Sequence, residues 1–166
     1  MKLDDILTRG RRLEERASAL YRSYAAASRH DPALCALWTA LARDEEAHAH
    51  SIALARAHLE PTAAWRTWLD GWEEALADVE RGLADAEQLG PDAPTDRKLS
   101  AALELEMTEL EALRHVVMVA CRAPDTEPPD EHALRLADVA ERLSNDSQVR
   151  LQAALLRART RLKKSA

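Results

Sequence analysis

A carboxylate and an imidazole interrupt the apolar stripe of a long amphipathic helix in the first third of the chain. Steps of three and four residues give the stripe Trp38, Leu41, Glu45, His48, Ile52, Ala55 and Leu59. These positions share one helix face, the face that packs against other elements in a globular protein. Because burying an unpaired carboxylate is expensive, the pattern predicts a compensating group inside the protein. In helical bundles, a metal ion bound by Glu and Glu-x-x-His side chains of facing helices commonly supplies that compensation.

The composition indicates an all-α protein that forms one domain over residues 1–166. The chain is rich in Ala, Leu, Arg and Glu, has four Gly and no Phe, and shows no run of alternating β-branched residues. Its net charge of −6 argues against a nucleic-acid partner. No apolar run approaches the length of a membrane span, and the first residues lack the apolar region of a signal peptide. We therefore expect a cytoplasmic protein without a membrane or nucleic-acid partner.

Capping residues and prolines divide the chain into helical segments. The predicted segments are about Asp4 to Ser28, Asp31 to Pro61, Thr62 to Leu89, Asp96 to Arg122 and Glu131 to Lys163. The third carries Trp65, Trp68 and Trp72 on one face. At about 1.5 Å per residue it would span roughly 40 Å, so we expect it to return the chain along a bundle as a crossover helix.

A weak internal repeat relates the two ends of the chain. It aligns the segment 41–48 with the segment 143–150, and Glu14 with Glu106. Glu106 is the single acid within the apolar stripe of the fourth predicted helix, and Glu109 lies one turn further on beside that stripe. Two helical hairpins related by a pseudo-twofold axis would give this pattern. The repeat therefore favours a shared buried site that includes Glu45 and Glu106, with Glu14 as the equivalent acid of the first helix and Glu15 as its runner-up.

At these residues the chain resembles the rubrerythrin-like branch of the ferritin-like superfamily, over nearly its whole length. The matching segments are 14–17 leading to Tyr21, 38–49 and 102–109. The resemblance implies a ferritin-like antiparallel four-helix bundle with an additional crossover helix. It also implies a di-iron centre that reduces peroxide or oxidises ferrous iron. The family's metal ligands would fall on Glu14, Glu45, His48 and Glu106, with Glu109 as an additional carboxylate.

The sequence departs from that family in its last helix. The repeat places Ser147 and Arg150 where a second Glu-x-x-His belongs, and an arginine cannot donate a lone pair to a metal. Two outcomes stay open. Either one iron or manganese ion binds the remaining ligands, or no ion binds and the Arg150 guanidinium enters the site and pairs with Glu45 or Glu106. We expect at most one ion per chain.

Two classes of function follow from these observations. The first is a non-haem iron-binding protein, with oxidoreductase activity toward peroxide or ferrous iron, a small-molecule oxidant as partner, and a homo-oligomeric state such as a dimer. The alternative is a metal-free helical module that binds a partner or a second copy of itself through its Trp-bearing crossover. The other five histidines, His30, His50, His58, His115 and His132, are expected to lie on the surface.

Overall fold

The computed structural model describes residues 2–57, 71–108 and 130–164, and every regular element within these ranges is an α-helix. The prediction of an all-α protein is confirmed. The six helices of these ranges are α1 Leu3–Ala27, α2 Pro32–Ala57, α3 Trp72–Leu89, α4 Thr95–Met107, α5 Asp130–Leu143 and α6 Ser147–Lys164. In the same ranges, no helix combines the length and apolar character needed to cross a membrane.

Helices α1 and α2 form an antiparallel hairpin. The Asp31 carboxylate accepts two backbone N–H bonds from the first turn of α2, which starts that helix where the sequence predicts it. Near the open end of the hairpin, Arg56 pairs with Asp4. Closer to its connection, the Ser18 hydroxyl donates to the Ala42 carbonyl at 2.9 Å. The residue numbers of α2 fall as those of α1 rise, so the two helices run in opposite directions.

Helix α3 runs parallel to α1. The guanidinium of Arg9 binds Glu80 at 2.9 Å, and that of Arg16 binds Glu87 at 2.7 Å, so both helices advance in the same direction. Helix α3 begins at Trp72, directly after Gly71, whose φ is 93°.

The predicted continuous helix from Thr62 to Leu89 is wrong at Gly71. A left-handed backbone conformation does not belong to a right-handed helix, and glycine adopts it without the strain that a Cβ would cause. Trp72 is half-buried against the core. Trp65 and Trp68 lie outside the described residues, so their predicted burial stays a prediction.

Helix α4 is shorter than the sequence indicates. Thr108 has extended backbone angles, φ −74° and ψ 153°, and its hydroxyl donates to the Leu105 carbonyl at 2.7 Å. This local hydrogen bond offers the backbone an alternative to a further helical turn. The predicted continuation to Arg122 is therefore wrong at Thr108. Glu109 lies outside the described residues.

The fifth predicted helix, from Glu131 to Lys163, is two helices separated at residues 144–146. The Ser144 hydroxyl donates to the Asp96 carboxylate at 2.6 Å and accepts the backbone N–H of Asp146 at 3.0 Å. The Asp146 carboxylate accepts the N–H of Gln148 at 2.7 Å, which makes Asp146 the N-cap of α6. The segment Ser-Asn-Asp-Ser is rich in residues that cap helices. The sequence therefore indicates that one helix ends and another begins here, and the prediction of one continuous helix missed this signal.

Helix α6 folds back onto α5 and α4. The Arg157 guanidinium binds Glu141 at 2.8 Å, although a straight helix would hold these residues about 24 Å apart. Ser100 of α4 donates to Gln152 of α6 at 2.9 Å. Leucine, alanine and valine side chains from all six helices form the core, and Trp38, Tyr21 and Tyr24 are its largest fully buried side chains.

Candidate metal centre

Three carboxylates from three helices are buried together. Glu14 of α1 is 0% exposed, Glu45 of α2 is 2% exposed and Glu106 of α4 is 3% exposed. Each occupies an inward position of its helix, so the packing that buries the neighbouring leucines also buries the acid. The structure thus brings together Glu45 and Glu106, which interrupt predicted apolar stripes, and Glu14, which the repeat aligns with Glu106.

His48 joins this cluster from α2. Its Nδ1 lies 2.9 Å from Oε2 of Glu45, one helical turn earlier, and 3.6 Å from Oε2 of Glu14. The side chain is 12% exposed, which makes it the most accessible member of the cluster. The Glu-x-x-His pair therefore points into the protein, as its place in the stripe indicates.

His132 supplies a second imidazole that the sequence interpretation missed. The expectation that it is exposed is wrong, because His132 is 6% exposed and its Nε2 lies 2.6 Å from Oε2 of Glu106. Its ring centroid is 5.2 Å from that of His48. His132 stands one turn before Leu136 and two turns before Ala140, both fully buried, so its place on the inward stripe of α5 was a usable signal.

Ser147 and Arg150 do not belong to the cluster. Both residues are exposed, and the prediction that Arg150 replaces metal charge at Glu45 or Glu106 is wrong. The break at residues 144–146 turns α6 away from the direction of α5, so the repeat alignment fails beyond Leu143. The inward position opposite Glu106 belongs to His132 instead.

The five side chains form two overlapping groups, each able to hold a metal ion. One group is Glu14, Glu45 and His48, and the other is Glu45, Glu106 and His132; within each, the potential ligand atoms lie within 4.8 Å of one another. Glu45 belongs to both groups. Carboxylate oxygens with imidazole nitrogens suit divalent iron, manganese or zinc rather than a soft, thiolate-preferring ion.

Glu14 carries the least compensated charge of the cluster. Neither carboxylate oxygen is accessible, and neither has a hydrogen-bond partner within the described part of the chain. Burial, and then repulsion from the neighbouring Glu45 carboxylate, raise the pKa of Glu14 well above its usual value. A buried carboxyl without a partner is costly unless it is protonated or bound by a cation.

The two imidazoles stabilise the remaining carboxylates. Burial lowers the pKa of His48, but the adjacent Glu14 and Glu45 carboxylates outweigh that effect and raise it to about 10. Burial likewise lowers the pKa of His132, and the charge of Glu106 more than reverses the change. For Glu45, burial raises the pKa, yet hydrogen bonding and the positive imidazoles bring it down to about 2. The carboxylates thus favour the protonated form of each imidazole, and burial favours the protonated form of Glu14.

Three buried aromatic rings pack together beside the cluster. Tyr21, two turns beyond Glu14 on α1, stacks on Trp38 with ring centroids 5.9 Å apart, and Trp38 meets Tyr24 edge-on at 5.2 Å. Burial and then the negative charge of Glu106 raise the pKa of Tyr21 well above its usual value. The phenol therefore stays protonated.

Comparisons with protein-family models, curated proteins and solved structures found no match for the chain. The residues of the cluster and their geometry therefore carry the assignment of function.

Proposed function

We propose that this chain is a metal-binding protein whose buried carboxylate–histidine cluster binds iron or manganese. The observation that carries the proposal is Glu14, whose two oxygens are buried without a hydrogen-bond partner among the described residues, beside two further carboxylates. A divalent cation satisfies such oxygens directly and offsets the repulsion between Glu14 and Glu45.

The arrangement of the donors supports two ions per chain in place of the single ion expected from the sequence. That expectation rested on the lack of a second Glu-x-x-His in the last predicted helix, and His132 supplies the imidazole of that missing pair. Glu14 and His48 would hold one ion, Glu106 and His132 the other, and Glu45 would contact both. Two divalent ions bring four positive charges to three carboxylates, so an additional anion or further carboxylate completes the balance. Glu109 stays a prediction for that role.

The directions of the helices support a ferritin-like arrangement. We propose that α1, α2, α4 and α5 form the antiparallel four-helix bundle and that α3 belongs to the crossover between its hairpins. Asp96 pairs with Ser144 and Glu106 with His132, so α4 and α5 are antiparallel like α1 and α2. Helix α6 is an addition to that arrangement.

Bound iron or manganese would supply redox chemistry toward a small oxidant such as peroxide, or toward ferrous iron as a substrate. The protein's own part is to hold and release protons. Because a metal ligand must be deprotonated, His48, His132 and Glu14 each give up a proton when a cation takes their lone pairs. Burial of the three carboxylates strengthens the charge interactions within the site.

The test is titration of the purified chain with Mn²⁺ and with Fe²⁺ under anaerobic conditions, with bound metal measured by elemental analysis. We expect about two ions per chain, and a loss of at least one in Glu14→Gln and in His132→Ala. The controls are Glu15→Gln, which changes the exposed neighbour of Glu14 on α1, and His50→Ala, which changes an exposed histidine of α2. Metal content that is unchanged in the site variants would contradict the proposed ligands.

The metal-free alternative is favoured by one observation, namely that His48 and His132 already lie within hydrogen-bond distance of Glu45 and Glu106. In that case the cluster is a structural element of a helical interaction module. The two functions differ in thermal unfolding, because a ligand that binds the native state raises Tm further as its concentration increases. A Tm that does not respond to Mn²⁺ or Fe²⁺ would favour the metal-free module. The expected homo-oligomer stays a prediction under either function.

A further inference from the structure

The two ligand groups of the cluster depend differently on how the helices pack. The first group, Glu14, Glu45 and His48, lies within the α1–α2 hairpin. The second group combines Glu45 of α2 with Glu106 of α4 and His132 of α5. The second group therefore exists only while α4 and α5 are held at a fixed position beside α2.

An ion pair joins α2 to α5 directly beside these ligands. Nη1 of Arg135 on α5 donates to Oδ2 of Asp44 on α2 at 2.8 Å, and Asp44 is the residue before Glu45. Both side chains are partly buried, with 38% of Arg135 and 25% of Asp44 exposed. Glu131, one turn earlier on α5, has the spacing of a favourable partner within the same helix. Arg135 nevertheless binds across to α2.

The ion pair and the contact between the two imidazoles are successive contacts of the same two helices. Asp44 precedes His48 by four residues on α2, and Arg135 follows His132 by three residues on α5. The ring centroids of His48 and His132 lie 5.2 Å apart. Because the residue numbers rise along one helix as they fall along the other, α2 and α5 are antiparallel. The ion pair therefore lies about one helical turn from the imidazoles.

We propose that Arg135 is a positioning residue for the second metal site. By pairing with Asp44, it holds α5 beside α2 so that Glu45 and His132 can bind the same ion. A partly exposed ion pair adds little to overall stability, so its effect is expected on the position of α5. Since this role rests on the proposed metal-binding function, it predicts that the second ion needs Arg135 and that the first does not.

The experiment is isothermal titration of the wild type and of Arg135→Gln with Mn²⁺. We expect the affinity for the first ion to be unchanged and that for the second to fall about tenfold, the lower end of the effect of residues that orient metal ligands. Loss of a positive charge would by itself strengthen the binding of a cation. Weaker binding therefore identifies a change of position. Arg135→Lys, which retains a cation for Asp44, should regain most of the affinity.

Arg9→Gln is the matched control, because it removes an ion pair of similar exposure between α1 and α3, that of Arg9 with Glu80. It should leave both affinities unchanged. Two results would overturn the role of Arg135. These are an equal loss of the second ion in Arg9→Gln, and binding of the second ion by Arg135→Gln that is as tight as in the wild type.

A measurement without metal separates this role from the proposed function. In the metal-free wild type, the rings of His48 and His132 are close enough for a nuclear Overhauser effect between their protons. We expect this effect to weaken in Arg135→Gln and to persist in Arg9→Gln. An unchanged effect in Arg135→Gln would contradict the positioning role. A wild type that binds no Mn²⁺ would refute the proposed function, whereas the ring contact would still decide whether Arg135 positions α5.

Discussion

The two halves of the cluster are built alike but differ by one carboxylate. Each hairpin provides a glutamate from its first helix and a histidine from its second. Helix α2 adds Glu45 one turn before His48, whereas the residue three places before His132 is Pro129. In the α4–α5 half, the one carboxylate and the one imidazole therefore pair with each other. In the α1–α2 half, the Glu14 carboxyl has no hydrogen-bond partner among the described residues. Similar helices thus give halves of unequal charge, and we expect the first cation to bind the more acidic α1–α2 half.

The largest expected effect belongs to Glu45→Gln, because Glu45 is the only side chain shared by both groups. We expect metal affinity to fall more than about 100-fold, since even residues that merely orient ligands contribute 10–100-fold. Glu106→Gln should spare the first ion and remove the second. Isothermal titration with Mn²⁺ measures both.

Glu46→Gln is the matched control for Glu45→Gln, since Glu46 is exposed and adjacent in sequence. If Glu106→Gln and Glu45→Gln lost metal affinity equally, this result would contradict the difference between the two halves of the cluster.

The pH dependence of the metal-free protein tests the charge states of the cluster. The raised pKa of His48, about 10, stabilises the fold fully below the unfolded value of about 6.5, and this stability is lost as pH rises through the folded value. The raised pKa of Glu14 acts in the same direction. We expect the free energy of unfolding to fall by roughly 2–4 kcal/mol between pH 6.5 and 10. Urea unfolding at several pH values measures this change.

Metal binding should show the opposite trend, because ligation competes with protons and so strengthens as pH rises. His48→Gln, which cannot titrate, is the control for the unfolding series. A free energy of unfolding that rises with pH in the metal-free protein would contradict the ion pairs described for the α1–α2 half.

The repeat alignment fails at the connection between α5 and α6. Asp146 in this connection is the N-cap of α6. Asp146→Ala should destabilise the protein by about 1 kcal/mol, because the first turn of α6 loses its side-chain acceptor. Asp146→Asn should retain most of the stability, since asparagine is also a good N-cap. Urea unfolding distinguishes the two, and equal losses would show that the cap is not what stabilises this turn.

The smallest effect is expected at Arg150, because its side chain is exposed and does not belong to the cluster. Arg150→Met should change the free energy of unfolding by no more than about 0.5 kcal/mol, as for other surface substitutions. The pair Ser147→Glu with Arg150→His should leave metal content unchanged, because neither position faces the cluster. If that double variant bound more metal than the wild type, the repeat alignment would be supported and the proposed role of His132 would be wrong.

The residues of the α1–α2 half were predictable because each lies in the middle of a long, regular stripe. Glu14, Glu45 and His48 are several turns from any helix end, so a small error in helix boundaries does not alter their facing. His132 lies two residues after the start of α5, and Ser147 lies at the start of α6. At such positions, a boundary error of a few residues decides whether a side chain points inward.

The sequence by itself determined that the chain is helical, where α1 and α2 begin, and which carboxylates interrupt apolar faces. Helical periodicity, capping and the cost of burying acids act within one or two turns, and local patterns record them. Only the tertiary structure decided that α6 turns back, that Arg150 faces away from the cluster, and that His132 meets Glu106. Those outcomes depend on which helix packs beside which, and residues that are 26 positions apart carry no local record of their contact.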